Sequence, residues 1–348
     1  MIKLLGHIVR EEDRIWLLSS AAEVSFRVTG ATRLLMKLEA DDTVRNLSTE
    51  PLLPRFEIRL NGRKAQDIRM TEKELTVTVF DGTEQQEAEI RLIKLSECTQ
   101  SLMALRAIET DGEITPLPDR PMRIEFIGDS ITCGYGVEGK SVDAPFTTAA
   151  ENAAKAYAFL AAEALDADAV LTSFSGYGIV SGYTEDPAVP NERELVPPIY
   201  EKEGWNPFRL PSGKKVQDTT RDFDAFQPDY IVMNLGTNDI SWCGTDLERG
   251  QLFARKYAEF LQTVRKRNPA ARILCMLGIM GTGLNKMMEQ AVDHYYRESG
   301  DREIRLLMLE EQNAARDGLG SYSHPSEITQ RLLAEKVTDE IRKWMKEA

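Results

Sequence analysis

The feature that most constrains this chain is a change in the period of its apolar residues near position 115. Before that point they alternate. Val24, Phe26 and Val28 are interleaved with Ser25 and Arg27, Phe56, Ile58 and Leu60 with Glu57 and Arg59, and Leu75, Val77 and Val79 with Thr76 and Thr78. Side chains of a strand point to opposite faces in turn, so these runs predict half-buried antiparallel strands. Asn61-Gly62, Asp81-Gly82 and Thr29-Gly30 stand between such runs and read as turns. No amphipathic helix interrupts the series, which predicts a jelly-roll-like β-sandwich over residues 1–110.

Residues 111–121 are polar and carry three prolines, so they read as a linker. Beyond it the apolar residues come in short unbroken runs: Arg123 to Ile127, Ala169 to Phe174, Tyr230 to Leu235, Arg272 to Leu277 and Ile304 to Leu309. Helical stretches separate them, at Asn152–Leu165, from Asp246 toward Asn268, at Asn285–Ser299 and at Ser326–Met345. Strands apolar on both faces and joined by helices predict an α/β domain over residues 122–348, with a parallel sheet of five strands covered on both sides. Ligand sites in such sheets lie at the carboxyl ends of the strands.

Charge and rare residues narrow the chemistry. With 56 acidic against 43 basic side chains the 348-residue chain carries a net charge of −13, which makes nucleic acid and anionic membrane poor partners. Its four cysteines make no CxxC or Cys/His spacing, so no metal is expected and free thiols are. The first apolar run is broken by His7 and stopped by charge, no stretch is long and apolar enough to span a membrane, and the expected compartment is the cytoplasm. Three histidines are present, His7, His294 and His324, so a mechanism that needs an imidazole has three to choose from.

Three strand ends carry short polar motifs. After the first comes Gly128-Asp129-Ser130-Ile131, where an abrupt turn into serine either is a local hydrogen-bonded turn or exposes a nucleophile at the mouth of the sheet. After the second and third come Ser175-Gly176-Tyr177-Gly178 and Gly236-Thr237-Asn238-Asp239, a glycine turn and a helix start. They also offer the Gly176 N–H and the Asn238 amide to a developing oxyanion, with the Ser130 N–H as a third donor. Asp129 reads as a carboxylate that fixes its own turn, outside the catalytic set. Following the last strand, the loop Ser321-Tyr322-Ser323-His324-Pro325-Ser326 faces the same rim, whereas His7 falls in the β region and His294 inside a helix.

Ser130 in Gly-Asp-Ser-Ile, Gly176, Asn238 in Gly-Thr-Asn-Asp and His324 in His-Pro-Ser, in that order, resemble the four blocks of the SGNH (GDSL) hydrolase superfamily. The wording from Ile124 to Gly136, preceded by an all-β region, resembles carbohydrate esterase family 2 more narrowly. That likeness implies a flavodoxin-like catalytic domain and a serine esterase that needs no cofactor. It also implies removal of O-acetyl groups from xylan- or mannan-derived oligosaccharides, with an acetylated oligosaccharide as partner. Ser130 would attack with His324 as base, and Ser130, Gly176 and Asn238 would form the oxyanion hole. One position departs from the superfamily pattern: Ser321 stands three residues before His324 and Tyr322 two before, where a carboxylate is usual, and the nearest upstream acid is Asp317. The resemblance to family 2 therefore implies a Ser130–His324 dyad, with the imidazole Nδ1–H held by a carbonyl of its own loop.

Between Gly178 and Arg221 runs a long proline-rich segment without periodicity. Its Trp205, and Trp242 after Asn238, either stack on a sugar ring beside the ester or pack their loops down. The β region either binds glycan or, as favoured here, packs against the catalytic domain, since Trp16 is its one tryptophan. Two other functions are compatible with the blocks: a thioesterase or lysophospholipase acting on longer acyl chains, and a carbohydrate-binding protein without catalysis.

Overall fold

The alternating runs do form strands, but longer ones than their turn signals predict. In the computed structural model, which describes residues 1–45 and 47–347, the N-terminal region contains β1 (Lys3–Leu5), β2 (Ile8–Glu11), β3 (Arg14–Leu17), β4 (Glu23–Ala40), β5 (Arg55–Leu60), β6 (Arg63–Arg69), β7 (Glu74–Lys94), β8 (Met103–Thr110) and β9 (Glu113–Pro116). All pairings are antiparallel and belong to one sheet of order β2-β3-β8-β4-β7-β5-β6, with β1 and β9 both on β4. Asn61-Gly62 is the hairpin turn between β5 and β6, with φ of 50° and 76° as a primed turn requires.

The other two glycine signals are bulges. Thr29 pairs with Glu87 and Ala31 with Gln86, so Gly30 (φ 69°) is an extra residue in β4. Next, Arg33 pairs with Asp81, so the β7 residues between Asp81 and Gln86 face Thr32 alone. Extra residues bend a strand and sharpen its twist. The long β4 and β7 therefore curl into a half-barrel around Phe26, Met36, Phe56, Ile90 and Leu92. The segment read as a linker needs correction too. Glu113–Pro116 is β9, and its single neighbour β4 leaves it an edge where proline's missing N–H costs no ladder bond.

The second half follows its apolar runs closely. Strands β10 (Met122–Gly128), β11 (Ala167–Ser173), β12 (Tyr230–Asn234), β13 (Arg272–Leu277) and β14 (Ile304–Met308) form a parallel sheet of order β11-β10-β12-β13-β14. Its helices are α1 (Ser130–Cys133), α2 (Tyr157–Ala164), α3 (Ile240–Cys243), α4 (Leu247–Arg267), α5 (Asn285–Ser299), α6 (Ala314–Asp317) and α7 (Glu327–Lys346). Asp246 caps α4 and Ser326 caps α7. The helix expected from Asn152 begins only at Tyr157, because Asn152 caps a short 3-10 turn first.

Burial explains the layering. Phe253, Tyr257, Leu261 and Val264 recur at helical spacing on α4 and cover one sheet face with Ile231 and Met233. On the other face Leu333, Val337 and Ile341 of α7 join α2 over Phe126, Val232 and Leu274. The first of these cores does not stop at the domain boundary: Trp16, Leu18, Cys98 and Leu102 of the β region pack into it beside Ile127, Phe174 and Tyr177.

Candidate active site

Register sets the site. Gly128 lies level with both Ser173 and Asn234, so the loops after β10, β11 and β12 leave one rim together. A Cβ on Gly128 would come within 2.0 Å of Thr132 Oγ1, so the chain can turn from strand into α1 this sharply only without a side chain there. Asp129 caps α1, its carboxylate accepting the Ile131 N–H at 3.0 Å, and Gly134 (φ 76°) ends the helix one turn later.

The Ser130 hydroxyl donates to His324 Nε2 at 2.8 Å. On the other side of the ring, Nδ1–H donates to two carbonyls of its own loop, Ser321 O at 3.1 Å and Tyr322 O at 3.2 Å. Carbonyls only accept, so Nδ1 carries the hydrogen and Nε2 keeps the lone pair that faces serine. Asp317, the nearest upstream acid, is turned to Arg316 at 2.6 Å instead. The loop holds this pose with Tyr322 and Ser323 both in the left-handed region (φ 49° and 61°), and with the Gly320 N–H donating to His324 O. Tyr135 lies against the imidazole, ring centres 4.4 Å apart, and is itself stacked on Phe146 at 3.9 Å. Burial under these groups lowers the imidazole pKa to about 4, while the two carbonyl contacts act in the opposite direction.

The remaining blocks close around Asn238. Its Nδ2 donates to Tyr177 O at 2.8 Å and, loosely at 3.5 Å, to Asp129 Oδ2. Gly176 turns at φ 84° in the preceding loop. Asp239, buried beside Asn238, accepts the N–H groups of Ile179, Val180 and Ser181 at 2.7 to 3.1 Å and so fastens the segment that follows Gly178. Burial pushes Asp239 up to about 6 against those three donors. Asp129 is pushed up to about 7, first by burial and, against the Ile131 N–H, also by the charge of Asp239.

Ser130, Gly176, Asn238 and His324 thus meet at one rim. Both tryptophans are half-buried. Trp242 packs against the core under the Arg249 guanidinium, 4.8 Å from the ring centre, and half-buried Trp205 lies where the long loop crosses Cys98. That loop is packed rather than open, with Val196, Tyr200, Leu210 and Val216 buried. Sequence reasoning missed Tyr135 and Phe146, although Tyr135 stands within the Gly-Tyr-Gly that follows the serine block. His7 is buried and bonded to Thr172 at 2.8 Å, and His294 is exposed beside Glu298. Among the described residues, one group of metal-ligating atoms lies close together, Glu97, Cys133 and Glu151, mutually within 4.8 Å.

Comparison with known proteins places these features in context. Residues 126–332 match the GDSL-like Lipase/Acylhydrolase family. Over 226 residues the chain is 36% identical to the cellulase/esterase CelE of Acetivibrio thermocellus, a match that covers 63% of this chain and 25% of that protein. It thus spans about a quarter of that relative's length. An acetylxylan esterase/glucomannan deacetylase of Cellvibrio japonicus is 24% identical over 83% of this chain and 76% of its own. Among solved structures, a family two carbohydrate esterase from Clostridium thermocellum in complex with cellohexaose superposes with a TM-score of 0.83 at 25% identity, covering 99% of both chains. The half-barrel and the parallel sheet are therefore both shared with that esterase.

Proposed function

The chain belongs to the GDSL-like lipase/acylhydrolase family, and from that premise we propose that it is a serine esterase that removes O-acetyl groups from oligosaccharides derived from acetylated xylan or mannan. The observation that carries the reading is the 2.8 Å contact between Ser130 Oγ and an imidazole whose other nitrogen is committed to carbonyls. Such a histidine is already in the tautomer that accepts the serine proton.

In the reaction, Ser130 Oγ attacks the acetyl carbonyl as its proton passes to His324 Nε2. The tetrahedral oxyanion is met by the N–H groups of Ser130 and Gly176 and by Asn238 Nδ2. Collapse breaks the bond to the sugar oxygen, which takes the proton from His324 and departs. Water, deprotonated by the same nitrogen, then attacks acetyl-Ser130, acetate leaves, and the proton returns to serine. Ser321 O and Tyr322 O take the orienting role of the usual aspartate, stabilising the imidazolium through dipoles rather than a full charge.

The substrate assignment is supported by the deacetylase relative and by a net charge that suits a neutral glycan. For the compartment we propose the cytoplasm, where four unpaired, buried cysteines are at home. Acetate released from acetylated xylo- and manno-oligosaccharides tests the function. Wild-type protein is expected to release it and Ser130→Ala to lose at least about 10³-fold in kcat. A preference for nitrophenyl octanoate over the acetate would sink the acetyl specificity, and no acetate release from any of these glycans would leave carbohydrate binding alone.

A further inference from the structure

A carboxylate of the β half-barrel reaches into the catalytic rim. Glu97, in the segment between β7 and β8, is fully buried, and its Oε2 accepts the N–H of Ser175 at 2.8 Å. Ser175 immediately precedes Gly176, so this bond holds the peptide plane next to the one whose N–H belongs to the oxyanion hole. The same oxygen lies 3.6 Å from Cys133 Sγ, at the end of the nucleophile helix α1. One oxygen from the other domain thus touches both the loop carrying Gly176 and the helix carrying Ser130.

The residue is held through its backbone as well as its side chain, whose Oε1 accepts from Gln100 Nε2 at 3.2 Å. Its backbone N–H donates to Glu151 Oε2 at 3.0 Å, and its carbonyl accepts from the fully buried Lys94 ammonium at 3.1 Å. Further along the loop, Tyr183 N–H donates to Gly176 O at 2.7 Å, and Asp239 holds residues 179–181. On the side of Gly176 that precedes it, the Phe174 N–H donates to Gly128 O at 3.2 Å, and among the described residues Glu97 supplies a side-chain contact to the Ser175 N–H. Glu97 and Ser175 lie 78 residues apart in sequence, so this one contact of the oxyanion loop depends on the packing of the two domains.

We propose that Glu97 is a positioning residue for the oxyanion hole, acting through the Ser175 N–H to aim the Gly176 N–H, so that the β half-barrel is part of the catalytic machinery. The inference rests on Ser130 being the nucleophile of an ester hydrolase. Misplacement of such a donor by about 1 Å weakens the transition state selectively and leaves ground-state binding nearly intact.

Two near-isosteric variants separate positioning from mere charge balance in a buried cluster. Glu97→Gln keeps an acceptor oxygen at the same reach and removes the charge. Glu97→Asp keeps the charge and withdraws the oxygen from Ser175 by one methylene. Both are to be assayed on nitrophenyl acetate, with KM, kcat and thermal midpoint measured and with affinity for a boronic acid that adds to Ser130 as a tetrahedral adduct. Positioning is expected to leave Glu97→Gln within about threefold of wild type, and to lower kcat of Glu97→Asp by roughly 10- to 100-fold with KM nearly unchanged. Boronate affinity is expected to fall in step with kcat. The reverse order, with Gln worse than Asp, or equal losses that follow the thermal midpoint, would overturn the proposal. The esterase reading is judged separately, by wild-type turnover that disappears in Ser130→Ala. Absence of that turnover overturns both.

Discussion

As the proposed base, His324 differs from the usual catalytic histidine in what holds it. Among the described residues two carbonyls and no carboxylate face Nδ1, and burial against Tyr135 lowers its pKa to about 4. The base must be neutral to accept the serine proton. kcat/KM for nitrophenyl acetate is therefore expected to be flat from about pH 5.5 upward and to halve near pH 4; an acid limb centred at 6.5 or above contradicts the carbonyl-held imidazole. The sign for stability follows from the same shift. Between about 6.5 and 4 the unfolded histidine binds a proton that the folded one refuses, so this residue's contribution to stability is lost as pH falls through that window. The four motifs were readable as candidates because each is a few consecutive residues at a strand end, and the fold brings Ser130 and His324 into contact. Glu97 was not: its partner Ser175 is far along the chain, and a lone glutamate after a strand carries no pattern that distinguishes a buried anchor from a solvated side chain.

At the level of elements, boundaries set by local chemistry were the legible ones. Asp246 before an apolar helical pattern is the N-cap of α4 and accepts from both Glu248 and Arg249. Asp246→Ala is expected to cost about 1 kcal/mol of stability, read as a shift of the denaturant midpoint. The glycines of the β half-barrel show the opposite case. Asn61-Gly62 is a turn, while Gly30 and Gly82 sit at interruptions within continuing strands, because a positive φ or a missing side chain serves a bulge as well as a hairpin. Which of the two a glycine makes depends on the partner strand, and β4 meets β7, β8, β9 and β1 at once. Three prolines hid β9 for a related reason: composition speaks against a central strand and is silent about an edge.

For the molecule as a whole, the change of period near residue 115 marks a change of architecture without marking a break in packing. Trp16, Leu18, Cys98 and Leu102 share one core with Phe174 and Tyr177, and the buried Glu125–Arg221 pair lies within reach of His7 through Thr172. Ion pairs bind the halves at the periphery as well, Lys3 to Asp168 and Arg55 to Glu138, each at 2.7 Å. Separating residues 1–110 from 122–348 would expose that apolar surface to water and break those ion pairs. Heat is therefore expected to unfold the protein in one transition, with calorimetric and van't Hoff enthalpies equal. Loss of esterase activity, near-ultraviolet circular dichroism and β-sheet signal should coincide along it. Two resolved transitions, or a 122–348 fragment that retains full activity, would show instead that the half-barrel is an independent attachment, and would remove the structural basis on which Glu97 is assigned to the oxyanion loop.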